Sequence, residues 1–429
     1  MKKFVPLVLA FLIFIQRQTN AQTWNACGSG LESGAYSMAV YNGELYVAGA
    51  IDSAGGLPVN GTAIWNGTSW SAFTTSGFEY GVTELLVFNN ELYVGGNFLT
   101  VEGDSANNIA KWDGTSWSAL GSGVNGTVWA LEVFNNELYA GGNFFQAGAI
   151  SASRVAKWDG SNWTALGDGL NSSVDDLEVY NSSLYAAGGF MTSGGNPMQY
   201  IARWDGSTWN SCATTDFNGD AYTLEVFNGE LYAGGDFDFN NDYNYIARWN
   251  GTSWSPCGTG ADAEIYDLAV YNNEIYAGGY FYQMDNIVSN NMARWNGSTW
   301  STCGTGVNEE VDALAVYNGE LYASGYFDEA DGQPARYIAR WSTSVGIDET
   351  ANDFSLTISP NPSDGLVTIN LTRKVIAQVS VLNSLGVEIY IATIINEKTL
   401  IDLSAHQAGI YFIILNSGNG SVTKKIVLQ

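Results

Sequence analysis

The residues with the clearest capacity for chemistry are carboxylate and amide oxygens at every second position of one short segment. This spacing is typical of a calcium-binding loop, in which alternate residues supply oxygen ligands. An earlier segment adds two further carboxylates. The candidate calcium ligands are Asp236, Asp238, Asn240, Asp242, Asp216 and Asp220. Asn241 and Ala247 replace the glycine and the glutamate of an EF-hand, so the pattern is not an EF-hand, and a hydrated acidic loop is the alternative.

Three glutamates and two tyrosines are candidates for binding an organic ligand. Glu132, Glu178 and Glu225 take the same place in three successive copies of a repeated unit. If that place faces a central channel, the channel attracts cations or amines, whereas a solvated charge without a ligand is the alternative. Tyr243 and Tyr282 lie in variable segments, where their rings could stack on sugars.

Composition excludes several classes of function. The 429 residues include 43 acidic and 16 basic side chains, a net charge of −27, so the surface is unsuited to nucleic acid or anionic membranes. The sequence has a single histidine, His406, which leaves almost no material for a histidine base or for a histidine-ligated zinc or copper site. We therefore expect no nucleic-acid partner and no enzyme of those kinds.

Paired carboxylates leave one enzymatic alternative open, a hydrolase or lyase acting on polysaccharide. Asp175 with Asp176, and Glu309 with Glu310, are adjacent pairs. Adjacent residues of a regular strand point to opposite faces, so the sequence predicts that neither pair acts together.

The elements that must position these residues are copies of one unit. A tryptophan that opens the motif W-D/N-G-x-x-W recurs at intervals of 45 to 47 residues, with a shortened last copy. The copies begin at Trp65, Trp112, Trp158, Trp204, Trp249, Trp295 and Trp341. Each unit reads as four short strands, with a hairpin turn such as Asn228-Gly229, a pattern typical of a β-propeller. The last unit lacks a fourth strand that Thr23–Gly28 can supply, so we predict an all-β fold with seven blades over residues 22–343, closed by an N-terminal strand.

Residues that recur at one position of the unit are predicted to be structural. Six basic residues stand beside the third-strand tryptophan, near a glutamate of the neighbouring strand, and are expected to form ion pairs. The four cysteines share one position in different units, too far apart for disulfides, and are expected to be buried. The loops from second to third strand and from fourth to first strand differ between units and share one face, where we expect any functional site.

The two ends of the chain differ from the repeats. Residues 1–21 combine Lys2 and Lys3 with the apolar run Phe4–Ile15, as in a cleaved signal peptide, so we expect no integral membrane segment in the mature chain. Residues 353–429, after a linker at 344–352, alternate apolar and polar residues in about six short strands, which predicts a small C-terminal β-sandwich.

Two stretches resemble known families. The blocks LTISPNPSDGLVTINL, VSVLNSLGVEIY, IDLSAHQAGIYFIIL and KKIVLQ resemble the C-terminal sorting domain of the type IX secretion system of Bacteroidetes. That resemblance implies contact of residues 353–429 with the secretion machinery, their removal, and release or surface attachment of the protein. The double glycine of the second strand and the tryptophan after the third resemble kelch-like propellers of bacterial surface proteins and fungal polarity-marker ectodomains, which implies binding more than catalysis.

The sequence thus predicts a secreted or surface-attached, non-enzymatic propeller that binds a glycan or a protein. A polysaccharide hydrolase or lyase and a purely structural surface protein are the alternatives.

Overall fold

The structure, a computed structural model, describes residues 22–74, 76–78, 81–212, 217–237, 244–343, 356–371, 377–383, 388–394, 398–417 and 420–429. The regular secondary structure of these residues is entirely β, as the sequence predicts. One compact unit spans Gln22–Ser342 and a second contains Thr343–Gln429. Among the described residues, no helix has the length and apolar character needed to cross a membrane.

The first unit consists of four-stranded antiparallel sheets, and seven are defined in the described part of residues 22–343. The inner strands are β2 (Ala35–Tyr41), β8 (Val82–Phe88), β14 (Thr127–Phe134), β20 (Asp176–Tyr180), β26 (Ala221–Phe227), β30 (Ile265–Tyr271) and β36 (Val311–Tyr317). The second strands are β3 (Glu44–Gly49), β9 (Glu91–Gly96), β15 (Glu137–Asn143), β21 (Ser183–Ala187), β27 (Glu230–Gly235), β31 (Glu274–Gly279) and β37 (Glu320–Gly325). The third strands are β6 (Thr62–Trp65), β12 (Ile109–Trp112), β18 (Val155–Trp158), β24 (Ile201–Trp204), β28 (Ile246–Trp249), β34 (Met292–Trp295) and β40 (Ile338–Thr343). The fourth strands are β7 (Trp70–Ala72), β13 (Trp117–Ala119), β19 (Trp163–Ala165), β25 (Trp209–Ser211), β29 (Trp254–Pro256), β35 (Trp300–Thr302) and, beside β40, β1 (Gln22–Ala26).

The first and last sheets are in contact. Each inner strand packs against the next along the chain, and β2 also packs against β36, where the Ala35 N–H donates to the Ser324 hydroxyl (2.9 Å). The strand β1 lies at the outer edge of the sheet that contains β36. Its Trp24 ring lies 5.3 Å from that of Trp341, and its indole N–H donates to the Cys303 carbonyl at 3.0 Å. The first strand of the chain therefore covers the edge of the last sheet.

The same tryptophan hydrogen bond joins other neighbouring sheets. An indole N–H of one fourth strand donates to a carbonyl just after the previous fourth strand, at 2.8 to 3.2 Å. These pairs are Trp70 with Cys27, Trp163 with Leu120, Trp209 with Leu166, Trp254 with Cys212 and Trp300 with Cys257. All four cysteines are free and buried, as predicted, and each offers its carbonyl to such an indole.

The predicted ion pairs between second and third strands are present in five sheets, with N···O distances of 2.8 to 3.1 Å. They join Lys111 to Glu91, Lys157 to Glu137, Arg248 to Glu230, Arg294 to Glu274 and Arg340 to Glu320. Ser183 replaces the glutamate near Arg203. Partly exposed pairs of this kind contribute about 0.2–1 kcal/mol each. These cations therefore belong to the sheets and are not directed at the centre of the unit.

The variable loops that the structure describes share one face, which we call the loop face, as predicted. In six sheets the loop from second to third strand forms a small hairpin. These hairpins are β4 (Ser53–Ala54) with β5 (Leu57–Pro58), β10 (Thr100–Val101) with β11 (Asp104–Ser105), β16 (Gln146–Ala147) with β17 (Ile150–Ser151), β22 (Thr192–Ser193) with β23 (Asn196–Pro197), β32 (Gln283–Met284) with β33 (Ile287–Val288), and β38 (Glu329–Ala330) with β39 (Gln333–Pro334). Isolated bridges, such as Val124 to Ala147, tie five hairpins to the adjacent fourth-to-first loop. The loops therefore share one backbone scaffold and differ in their side chains.

The second unit contains two sheets around one apolar core. One sheet has β41 (Leu356–Ser359), β42 (Leu366–Leu371) and β45 (Lys398–Asp402); the other has β43 (Ala377–Asn383), β44 (Glu388–Ile394), β46 (Gly409–Ser417) and β47 (Gly420–Leu428). Alternate residues such as Val379, Val381, Ile413 and Leu415 form the core. The sequence pattern missed β45, because Leu400, which is 62% exposed, places an apolar residue on its outer face.

Candidate functional site

An irregularity at the start of each inner strand decides which side chains reach the centre of the first unit. In six sheets the register with the second strand shifts at this point, as between Ala35 and Ser37. In the remaining sheet Asp176 pairs with Ala187, and the Asp175 N–H also donates to the Ala187 carbonyl (2.9 Å). A bulge of this kind sets two residues against one and redirects their side chains. Consecutive residues here need not alternate between faces.

A cavity of about 600 Å³, which we call the central cavity, lies where the inner strands converge, and all seven contribute to its lining. Four aromatic residues at the bulged position form what we call the aromatic collar: Tyr36, Trp129, Tyr222 and Tyr266. The lining carboxylates are Glu84, Asp175, Asp176, Glu225, Asp267 and Asp312. Within the described part of the chain, the lining contains no lysine or arginine.

The aromatic collar lies at the loop-face end of the cavity, since each member is the second or third residue of its inner strand, just after a fourth-to-first loop. Trp129 is 41% exposed and Tyr36 is 37% exposed. The Tyr222 and Tyr266 ring centroids lie 6.0 Å apart, and the Tyr36 hydroxyl is 3.5 Å from that of Tyr326. Partly exposed aromatic side chains therefore line the loop-face end of the cavity.

Two cavity carboxylates tie neighbouring sheets together. The Leu224 N–H donates to Asp176 Oδ2, and the Leu314 N–H donates to Asp267 Oδ2, both at 2.6 Å. Asp312 differs, because its buried Oδ2 accepts no hydrogen bond from the described residues. The first two acids therefore serve the fold, whereas Asp312 Oδ2 is left without a hydrogen-bond partner among the described residues.

Burial makes the cavity carboxyls weak acids. Burial, and secondarily the Asp267 carboxylate, raises the pKa of Glu225 to about 8. Burial also raises the pKa of Asp267 to about 7, and that of Asp312 to about 7 with a contribution from nearby carboxylates. The pKa values of Glu84 and Asp176 lie well above the ordinary range, again chiefly through burial. Several of these groups therefore hold protons near neutral pH, and a positive ligand would favour their ionisation.

Of the three glutamates predicted to bind a ligand, Glu225 lines the central cavity, whereas Glu132 and Glu178 are not among the lining residues. Burial raises the pKa of Glu178 to about 8, with Glu132 and Glu225 as the next causes. Burial raises the pKa of Glu132 to about 7. The three carboxyls therefore lie close enough to interact.

Asp175 and Asp176, predicted to point to opposite faces, both line the central cavity, because Asp175 precedes the regular strand β20 and strict alternation does not apply to it. The sequence reasoning also missed Glu84, Asp267 and Asp312. A signal was present, since Glu84, Asp176 and Asp267 share one position in alternate repeats. This recurrence was overlooked because side chains were assumed to alternate strictly between the two faces of each strand.

A second pocket, of about 640 Å³, lies on the loop face between the last two sheets. Its lining includes Tyr280, Tyr282, Glu309 and Glu329, and Tyr282 is 58% exposed. Glu310, the other member of its predicted pair, is not among the lining residues. Aromatic rings beside carboxylates suit a sugar ligand.

Two of the six candidate calcium ligands lie in the described residues. The Asp220 N–H donates to Asp236 Oδ1 at 3.2 Å, and the Asp236 N–H donates to the Asp220 carbonyl at 2.9 Å. Outside the described residues lie Asp216, Asp238, Asn240, Asp242 and the candidate sugar-stacking residue Tyr243. Within the described ranges, no three side chains of the His, Cys, Asp or Glu type are placed to hold a metal ion. Calcium binding stays a prediction.

Two family models match parts of the chain. Residues 357–429 match the secretion system C-terminal sorting domain, and residues 72–227 and 115–274 match the Rax2 C-terminal beta propeller domain. No curated protein matches the chain. The chain therefore carries a β-propeller and a type IX sorting domain, which directs it to the cell surface or to attachment at the outer membrane.

Solved structures show a similar fold. The extracellular domain of the BT4673 hybrid two-component system of B. thetaiotaomicron is 12% identical with a TM-score of 0.52, over 92% of this chain and 56% of that chain. A second structure of that domain is 12% identical with a TM-score of 0.51, and the match covers 95% of this chain and 58% of that chain. PorZ, an essential surface component of the type IX secretion system of Porphyromonas gingivalis, is 15% identical with a TM-score of 0.48, over 92% and 59%. The chain spans less than two thirds of each of these proteins, and the likeness concerns the fold alone.

Proposed function

We propose that this exported β-propeller is a non-enzymatic binding protein that receives a surface glycan or a protein on its loop face. The central cavity supports this function best, because aromatic rings and carboxylates converge there from all seven inner strands. Concave sites with aromatic walls and a few polar groups are where proteins commonly bind ligands. The residues that recur in most sheets, by contrast, are engaged in ion pairs and indole hydrogen bonds.

The same proposal includes a kelch-like ring of seven blades closed by the N-terminal strand. The seven four-stranded sheets, the contact between β2 and β36, and the position of β1 beside β40 support it. A closed ring brings a different side chain from each blade to one axis, which explains how a repetitive chain builds a single asymmetric site.

A polysaccharide hydrolase or lyase is the second candidate, favoured by two adjacent acids in one cavity. Burial raises the pKa of Asp175 to about 6, which suits a general acid near neutral pH. Its neighbour is engaged elsewhere, because the Asp176 oxygens accept the Leu177 and Leu224 N–H groups. Binding without turnover is therefore the better supported function.

A glycan array and a protein-binding assay on intact cells, both with the full chain, test the proposal, followed by a degradation assay on any glycan that binds. We expect binding without cleavage. Cleavage would favour the hydrolase or lyase, and the absence of both binding and cleavage would favour a structural role. Trp129→Ala should weaken binding about tenfold, the loss typical of an interface anchor. Val87→Ala is the control, because this 37% exposed side chain lies near the end of β8 away from the loop face and outside the cavity lining.

A further inference from the structure

We infer, on the basis of the proposed binding function, that the group received by the central cavity is a protonated amine. Three properties of the central cavity support an amine at the aromatic collar: its charge, an unpaired oxygen and its aromatic wall.

The charge of the central cavity is of one sign. Six carboxylates line it, and the cations of the first unit lie elsewhere, six beside the third-strand tryptophans and two in the loops. One of the loop cations, Arg154, is held over the Phe145 ring at 3.8 Å. A cleft with acidic groups and no counter-charge favours a cation, whose approach promotes ionisation of the protonated carboxyls, and it disfavours an anion. An anionic ligand is therefore disfavoured at this site.

The unpaired oxygen belongs to Asp312. Its Oδ2 is buried and accepts no hydrogen bond from the described residues. The Oδ2 atoms of Asp176 and Asp267, by contrast, each accept a hydrogen bond from a backbone N–H group. A buried acceptor without a donor is unfavourable, so a ligand donor that reached this oxygen would be stabilised there. An ammonium group supplies three donors and the complementary charge.

The aromatic wall favours an organic cation over a metal ion. Trp129 and Tyr36 are partly exposed at the loop-face end, and an ammonium group is attracted to the face of such rings. Within the described residues, no three acids are placed to share one metal ion. A site with rings at its entrance and dispersed carboxylates inside suits an amine carried on a small molecule or sugar.

Two pairs of probes test the inference by titration calorimetry on the full chain at pH 7 and low salt. Spermidine is compared with its fully acetylated form, and a glucosamine tetrasaccharide with its N-acetylated form. In each pair the acetylated probe loses its positive charges and gains acetyl groups, so the charge-removing variants below separate the effect of charge from that of size. The pair that binds tells a free polyamine from an amino sugar. We expect at least one amine probe to bind about tenfold or more tightly than its acetylated partner, because the acetylated form cannot pair with buried carboxylates.

Matched variants locate that binding. Asp312→Asn removes the charge with almost no change of shape and should weaken amine binding about tenfold, and Trp129→Ala should weaken it by a similar factor. Asp104→Asn removes an exposed loop-face charge outside the cavity and should change binding less than about twofold. Circular dichroism melting of each variant shows that it is folded.

Equal affinity for amine and acetylated probes, or no binding of either amine, would overturn the inference, as would equal effects of Asp312→Asn and Asp104→Asn. If the full chain still binds a glycan or a cell-surface protein in a Trp129-dependent way, the proposed binding function stands although the ligand is not an amine. If surface binding is also absent, the proposed function fails as well.

Discussion

Replacement of Glu225 by glutamine should stabilise the propeller, by an amount that depends on pH. Glu225 lines the central cavity, and its Oε1 accepts the Val226 N–H at 3.1 Å, a contact that an amide oxygen can keep. Burial and the Asp267 carboxylate raise its pKa to about 8 from an ordinary 4.5. The folded state therefore disfavours the ionised form. The resulting penalty is fully present above pH 8 and vanishes as the pH falls toward 4.5.

The size of the effect follows from that difference in pKa. At about 1.4 kcal/mol per pH unit, a pKa of about 8 against 4.5 gives an upper limit of about 5 kcal/mol for the free energy of unfolding. Neighbouring carboxyls share protons with Glu225, so part of the gain is lost when it becomes neutral. We expect Glu225→Gln to raise the free energy of unfolding by about 2 kcal/mol at pH 9 and by almost nothing at pH 5.

Urea unfolding of the full chain, followed by tryptophan fluorescence, measures this difference. All 15 tryptophans lie between residues 24 and 341, so the signal reports the propeller rather than the sorting domain. Glu32→Gln, at an exposed position, is the control and should have little effect at either pH. A gain of equal size at pH 5 and pH 9, or a loss at both, would refute the buried-charge account of the cavity.

Three further predictions concern the same fold and are checked by melting or urea unfolding of the full chain. Asp176→Leu should lower the free energy of unfolding by about 2 kcal/mol or more, because the Leu224 N–H loses its buried acceptor. Asp176→Asn keeps an acceptor oxygen and should retain most of the wild-type free energy of unfolding. Gly229→Ala should cost about 1 kcal/mol through its φ of +77° alone, since a methyl group there meets nothing within 4 Å. Millimolar calcium should raise the melting temperature if the predicted site forms, and Asp236→Ala should remove that rise; an unchanged rise in the variant would exclude Asp236 as a ligand.

The repeat made much of the fold predictable. The tryptophan spacing placed the strands of each sheet, and the recurrence of Lys111 and its equivalents beside Glu91 and its equivalents predicted the ion pairs. These features follow from residue type and period, which a single chain displays several times. The all-β class and the sorting domain were equally readable, because alternating strands and block motifs are local in sequence.

The interior of the central cavity was less predictable. Regular alternation begins only at Asp176, and no single residue type marks that point, so Asp175 and Asp176 were assigned to opposite faces although both line the cavity. The common hairpin of the loops was also missed, because it is held by backbone pairing between segments as different as Gln146–Ala147 and Glu329–Ala330.

Entry of the ligand through the aromatic collar can be tested most directly by protection of a single reactive thiol. All four native cysteines are buried, so Tyr326→Cys, beside Tyr36 at the rim, places one exposed thiol there and leaves the collar intact. Ser71→Cys places a thiol on an exposed fourth strand as the control. A ligand found on the array, or the amine probe that binds, should slow thiol labelling of Tyr326→Cys and leave Ser71→Cys unchanged. Equal labelling of Tyr326→Cys with and without the bound ligand would contradict binding at the collar.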